Sequence, residues 1–212
     1  MDLVKNYKDY IREHLDIDPF GEEDWEVDNL SPLLQVVRKK FGNKSYDEII
    51  ELDCRFNQLT SLEGIENLVN LERLYCYYNQ LTSLEGVENL VNLDILFCDN
   101  NELTSLEGIE NLVNLEEFHC SMNQLTSLEG IENLVNLKKL YCLCNQLTTL
   151  EGVENLVNLE HLSCINNQLT SLDGLENLVN LERLYCYNNK FSVDYKKYLK
   201  NYCRNKNISL DI

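Results

Sequence analysis

The sequence predicts an α/β solenoid with a parallel sheet on its concave face, short 3₁₀ or irregular turns on its convex face, and helical caps at both ends. Three observations carry this reading. From Ile49 the chain repeats every 22 residues, with further units starting at Leu71, Leu93, Leu115, Leu137, Leu159 and Leu181 and no insertion between them. Within a unit, apolar residues recur at positions 1, 4, 6, 11, 14, 17 and 20. Residues 1–48 and 192–212 break the pattern, which divides the chain into an N-terminal cap, seven units over 49–191 with the last truncated, and a C-terminal cap.

The apolar spacing changes along each unit. Around positions 4 to 6 it is two, which suits a short strand, and later it is three, which suits a tight turn around the Gly at position 16. Seven apolar side chains cannot offset the conformational entropy of ordering 22 residues, so a unit folds only when neighbours complete its ladder and seal its apolar ring. The ends of such a stack need covers. In the first flank, Val4, Tyr7, Ile11 and Leu15 share one helical stripe, and Ser31-Pro32 followed by Leu33, Leu34, Val36, Val37, Phe41 and Gly42 reads as a capped second helix. In the last flank, Ser192 caps a helix that turns Tyr195, Tyr198, Leu199, Tyr202 and Cys203 to the final unit and Lys196, Lys197, Lys200 and Arg204 mostly outward.

Charge bounds the partners. The formal net charge of −18 divides into −5 over residues 1–48, −17 over 49–189 and +4 over 190–212. An acidic body repels phosphate backbones and anionic lipid, so neither nucleic acid nor membrane is an expected partner. The charged first residues carry no signal-peptide core and no apolar run is long enough to span a bilayer, which predicts a cytoplasmic protein.

Copies within one chain can be compared with each other. Positions 9 to 22 barely change, whereas positions 2, 3, 5, 7 and 8 vary. Strand alternation places 3, 5 and 7 opposite the core residues of positions 4 and 6, on the concave face. Position 5 runs Asp53, Tyr75, Phe97, His119, Tyr141, Ser163, Tyr185, and position 7 runs Arg55, Tyr77, Asp99, Ser121, Leu143, Ile165, Tyr187. Tyr supplies amphipathic contact area at small entropic cost, which suits binding, although aromatic residues also stack across strands without any ligand. Charge on this face is mixed, with Arg73, Lys139 and Arg183 beside Glu51, Glu117 and Asp99. The candidate partner surface is therefore Arg73, Tyr75, Tyr77, Phe97, Asp99, Glu117, His119, Lys139, Tyr141, Arg183, Tyr185 and Tyr187, and its expected occupant is a protein or peptide. Seven strands at about 4.8 Å span roughly 30 Å, enough for about 800 Å² per partner.

The unit Leu-x-x-Leu-x-Cys-x-x-Asn-Gln-Leu-Thr-Ser-Leu-Glu-Gly-Ile-Glu-Asn-Leu-Val-Asn resembles the leucine-rich repeats, and its 22-residue length and tail are similar to the internalin-type class. The resemblance implies that Asn57, Asn79, Asn101, Asn123, Asn145, Asn167 and Asn189, at position 9, satisfy backbone groups where each strand turns away. It also implies an interaction scaffold. Members of this repeat class that regulate a protein phosphatase suggest an alternative, a regulatory or targeting subunit for a phosphatase or a ubiquitin ligase. A structural array with no specific partner is the third reading. The chain departs from the family pattern at position 6, where Leu is usual and Cys54, Cys76, Cys98, Cys120, Cys142, Cys164 and Cys186 stand instead.

These cysteines raise disulfides, a soft-metal ladder and a reactive thiol. Parallel in-register side chains are poorly placed for the disulfide dihedral, and a buried free Cys behaves as a small hydrophobe, so they read as core. Cys144, at position 8, is the expected exposed thiol. Strand geometry puts His119 and His161 roughly 10 Å or more from it, too far for activation. His14 has no ligand or nucleophile spacing around it, and the acidic run from Asp16 to Asp28 has Phe20 and Val27 where a calcium loop needs oxygen ligands. Acids at positions 15 and 18, Glu63 and Glu66 through Asp173 and Glu176, read as a solvated convex ribbon. The sequence thus predicts no catalytic residues, metal or cofactor, and a monomer.

Overall fold

The computed structural model describes residues 30–212. The stripe from Val4 to Leu15, His14 and the acidic segment 16–28 lie outside the described residues. Eight strands form one open sheet in chain order: β1 (Glu51–Asp53), β2 (Arg73–Tyr75), β3 (Ile95–Phe97), β4 (Glu117–His119), β5 (Lys139–Tyr141), β6 (His161–Ser163), β7 (Arg183–Tyr185) and β8 (Ser209–Asp211). Every pairing is parallel, and from β1 to β7 the register advances by one unit per strand: Leu52 pairs with Leu74, Leu74 with Leu96, Leu96 with Phe118.

Each of β1 to β7 occupies positions 3 to 5 of its unit, one residue earlier than the apolar spacing suggests. The ladder nevertheless continues past it, with Cys76 N–H donating to Phe97 O at 2.8 Å and Tyr78 N–H to Asp99 O at 3.0 Å. It ends at position 8 because every residue there is left-handed: Phe56, Tyr78, Asn100, Met122, Cys144, Asn166 and Asn188 have φ of 53–58°. One residue further on, the position 9 amides take up the groups this turn frees. Asn79 Oδ1 accepts from the N–H of Asn57 and of Leu59, both at 3.0 Å, while its Nδ2 donates to Cys54 O at 3.1 Å and Cys76 O at 2.9 Å. The same bonds recur along the stack, which is the role the resemblance implies.

The convex side carries one 3₁₀ turn per unit, from Ile65–Asn67 to Leu175–Asn177. The Gly before each turn is left-handed, with φ between 82° and 100°. At Gly86 close packing adds a second constraint, since a Cβ there would lie 2.7 Å from Ile65 Cγ2. The following position 18 glutamate folds back: Glu66, Glu88, Glu110, Glu132 and Glu154 each accept the N–H of their Gly at 2.8–3.0 Å. Five of the twelve acids in the convex row are therefore part of the turns rather than simply solvated. A second amide row, absent from the sequence reading, joins the units at position 22, where Asn92, Asn114, Asn136, Asn158 and Asn180 donate to the position 21 carbonyl of the preceding unit at 2.8–3.2 Å.

All seven apolar positions are buried in every complete unit, and the position 6 cysteines pack among them as free thiols. Burial pushes their ionisation up, to about 12 at Cys142. Helix α1 (Pro32–Phe41) covers the first unit, with Ser31 accepting from Leu34 N–H and Leu33 and Val37 buried. Ser31 Oγ also bonds Glu63 O, and the Leu34 side chain fills the space over Gly64, which ties the cap to the first convex turn. At the other end α2 (Val193–Lys206) buries Leu199 and Cys203, capped by Ser192. Tyr198 departs from its predicted inward placement and is half exposed. The last flank is also more than a helix: after Asn207 the chain returns as β8, whose Ser209 N–H donates to Glu182 O at 2.8 Å and whose Asp211 O accepts from Cys186 N–H at 2.9 Å. No helix of the described residues is long and apolar enough to cross a membrane.

Candidate functional site

Positions 3, 5 and 7 point away from the core, so the varied residues do line the concave face. Between β2 and β5 the position 5 rings form a continuous stack. Tyr75 meets Phe97 edge-on with centroids 5.3 Å apart, Phe97 lies on His119 at 3.8 Å and 23°, and His119 tilts against Tyr141 at 4.2 Å. Stacking follows from register, because adjacent strands bring equivalent positions within about 5 Å.

A polar network surrounds the imidazole. Glu117 Oε1 lies 2.9 Å from His119 Nε2, Glu117 Oε2 accepts from Lys139 Nζ at 2.9 Å, and Asp99 Oδ2 sits 3.8 Å from His119 Nδ1. Asp99 Oδ1 accepts the Ser121 N–H at 2.8 Å. The two carboxylates are driven in opposite directions. Burial raises Asp99 against the lowering influence of His119 and Ser121. At Glu117 burial also pushes upward, but hydrogen bonds from Lys139 and His119 prevail and its ionisation falls below the usual glutamate range. Arg73 is held by Glu51 at 3.1 Å and approaches Asp94 at 3.9 Å. The cations in the first part of the face thus already have partners.

Arg183, Tyr185 and Tyr187 lie apart from this group. The ring stack stops at Tyr141 because β6 supplies Ser163, which is buried, and Leu143 and Ile165 provide an apolar stretch at position 7 before Tyr187. The predicted surface is therefore two patches, with Arg73, Tyr75, Phe97, Asp99, Glu117, His119, Lys139 and Tyr141 in the first and Arg183, Tyr185 and Tyr187 in the second.

Tyr77 belongs to a cluster that the sequence reading missed. Phe56 and Tyr78, at position 8, stack at 4.7 Å and 12°, and Tyr77 meets their edges at 6.0 and 5.7 Å. Arg55 lies over the Tyr77 ring at 5.4 Å and bonds its hydroxyl. Phe56 and Tyr78 are 64% and 50% exposed. Their left-handed backbone disfavours bulky side chains, and the same position holds Asn in three other units. That recurring Asn was the signal available in the sequence.

Cys144 shares this backbone position and is half-buried rather than exposed, its sulfur accepting from Asn166 Nδ2 at 3.2 Å. Nothing among the described residues joins a thiol or hydroxyl to a histidine and an orienting carboxylate. Ser121 Oγ instead donates to Tyr141 O at 3.1 Å.

A model of leucine-rich repeats taken two at a time matches residues 47–89, 69–111, 91–133, 113–155 and 157–196. Among solved structures, a leucine-rich-repeat protein of Leptospira interrogans is 34% identical with a TM-score of 0.68, over 74% of this chain and 41% of that one. The chain thus spans about two-fifths of the Leptospira protein. Internalin C2 from Listeria monocytogenes is 30% identical with a TM-score of 0.70, over 76% of this chain and 75% of its own. A search of curated proteins gave no match. Family models over most of the repeat region, the same parallel stack in both structures and the amide ladder at position 9 agree: the chain belongs to the leucine-rich-repeat family.

Proposed function

We propose that this protein is a non-enzymatic scaffold that holds a protein or peptide partner on its concave face, with residues 1–48 and 192–212 acting as covers for the repeats. The observation that supports this most is the exposed cluster of Arg55, Phe56, Tyr77 and Tyr78. Two of its rings are displayed from left-handed backbone positions that favour Asn. The cluster adjoins the stack from Tyr75 to Tyr141 and enlarges the first patch. Aromatic anchors beside a guanidinium are the residue types that dominate binding energy in protein interfaces. The many free thiols fit a reducing compartment, and we place the protein in the cytoplasm on that ground.

The ring contacts between neighbouring strands favour a second reading, an array whose aromatic residues serve only each other. Substituting the exposed rings separates the two. In a Phe56→Asn, Tyr77→Ser, Tyr78→Asn variant, whose fold is checked by circular dichroism, a binding face loses the partners captured by the wild type from a cell extract and identified by mass spectrometry. An unchanged set of partners refutes the concave scaffold. Co-capture of a phosphatase or a ubiquitin ligase would assign the scaffold a regulatory or targeting role.

A further inference from the structure

Position 21 is a valine in all six units that contain it, Val69, Val91, Val113, Val135, Val157 and Val179. The first five are 44–46% exposed and the last 76%. The other unchanging surface residues nearby have structural work: the position 18 glutamates hold the Gly N–H groups and the position 22 amides bridge to the preceding unit. The valine side chains have none, since only their carbonyls enter the amide row. Positions 3, 5 and 7 diverged among the same units, so common origin alone does not account for an exposed apolar residue kept in every copy. The row is also flanked by acids, with Lys138, held by Glu116 at 2.7 Å, as the exception. Three residues before each valine stands a glutamate, Glu66 to Glu176, and three residues after stand Glu72, Asp94, Glu116, Lys138, Glu160 and Glu182.

The complement lies on the same chain. The outer surface of α2 presents Lys197, Lys200 and Arg204 on one stripe with exposed Val193, and Tyr198 beside them. None of these cations forms an ion pair among the described residues, and none of the position 18 glutamates does either. Fourteen helical residues extend about 21 Å, and six valines one strand spacing apart extend about 24 Å. We propose that the valine row is the docking surface for α2 of a second copy, with Val193 and Tyr198 against the valines and the Lys and Arg side chains against the flanking acids. The two surfaces differ, so the contact is heterologous and leads to open chains of copies or to a ring.

The test is sedimentation velocity on the full chain with two variants. Val113→Lys, Val135→Lys disables the row, and Lys197→Glu, Lys200→Glu disables the helix; all four positions are surface positions, and thermal melting checks the fold. The wild type should associate with rising concentration at low salt, and its dissociation constant should rise about tenfold or more at about 0.5 M salt, where charges are screened within a few ångströms. Each variant alone should be monomeric. Mixed, they should form a one-to-one dimer and nothing larger, because each retains one working surface. A wild type that stays monomeric at low salt, variants that still associate, or a mixture that stays monomeric would each overturn the proposal.

Discussion

Replacing Asn123 by Ala tests the amide ladder at its centre. The side chain is buried, and its Oδ1 accepts the Leu103 N–H at 3.0 Å. Its Nδ2 is shared among the carbonyls of Cys98, Cys120 and Ser121 at 3.1, 3.1 and 3.2 Å. Leu103 is fully buried, so its orphaned N–H costs about 1 to 3 kcal/mol, and the lost donor adds about 1 kcal/mol at the carbonyls. The expected loss is about 3 kcal/mol, or roughly 6 to 12 °C in Tm for a chain of this size. Asn57 provides an internal control. It stands at the first unit, exposed, and among the described residues its amide serves only Cys54 O and Arg55 O of its own unit, at 3.0 and 2.7 Å. Asn57→Ala should therefore cost about 1 kcal/mol or less. Equilibrium unfolding in guanidinium chloride, followed by circular dichroism, measures both. If the two variants lie within about 0.5 kcal/mol of each other, the ladder does not act through bonds between units and the reasoning fails.

Three further outcomes follow from the same structure. Met122→Asn should stabilise the protein by about 0.5 to 1 kcal/mol, because Asn tolerates the left-handed backbone and no ring contact is lost; Tyr78→Asn should be close to neutral, since the stack on Phe56 offsets the relief. Denaturant midpoints in both variants check this, and a destabilised Met122→Asn contradicts it. The depressed ionisation of Glu117 makes its bonds to Lys139 and His119 a stabilising contribution that is fully present above the ordinary glutamate value of 4.5 and is lost as pH falls through its lower folded value. The stability gap between wild type and Glu117→Gln should thus hold from neutral pH down to about 4.5, shrink as pH falls from there to the lower folded value, and be closed below it; a gap that widens on acidification has the wrong sign. Finally, a maleimide reagent at neutral pH should label Cys144 in the native protein and the remaining eight cysteines only after unfolding, because they are buried. Intact mass shows the count, and rapid multiple labelling would contradict the packing.

The repeat was legible because its cause is local and sevenfold. Leu52, Leu74 and their equivalents declare the core by spacing, and Gly64 to Gly174 declare the turns by residue type. The non-repeating elements were harder to read. Nothing in Ser209-Leu210-Asp211 resembles Leu-x-x-Leu-x-Cys, so β8 became visible only when α2 brought it beside β7. Of the candidate surface, the alternation of positions 3, 5 and 7 was readable, whereas its division at Ser163 and its extension through Phe56 and Tyr78 were not. A strand pattern assigns faces but does not tell which rings meet.

By itself the sequence determined the solenoid, the core, the thiols within it and the face that varies, since each depends on periodicity along the chain and on burial. Only the tertiary structure decided the pairing between units: the second amide row at position 22, the bond from Lys139 to Glu117, and the stack that ends at Tyr141. These contacts join residues 20 to 25 apart across the parallel register, where a side chain's partner is set by the neighbouring strand rather than by its own neighbours in the chain.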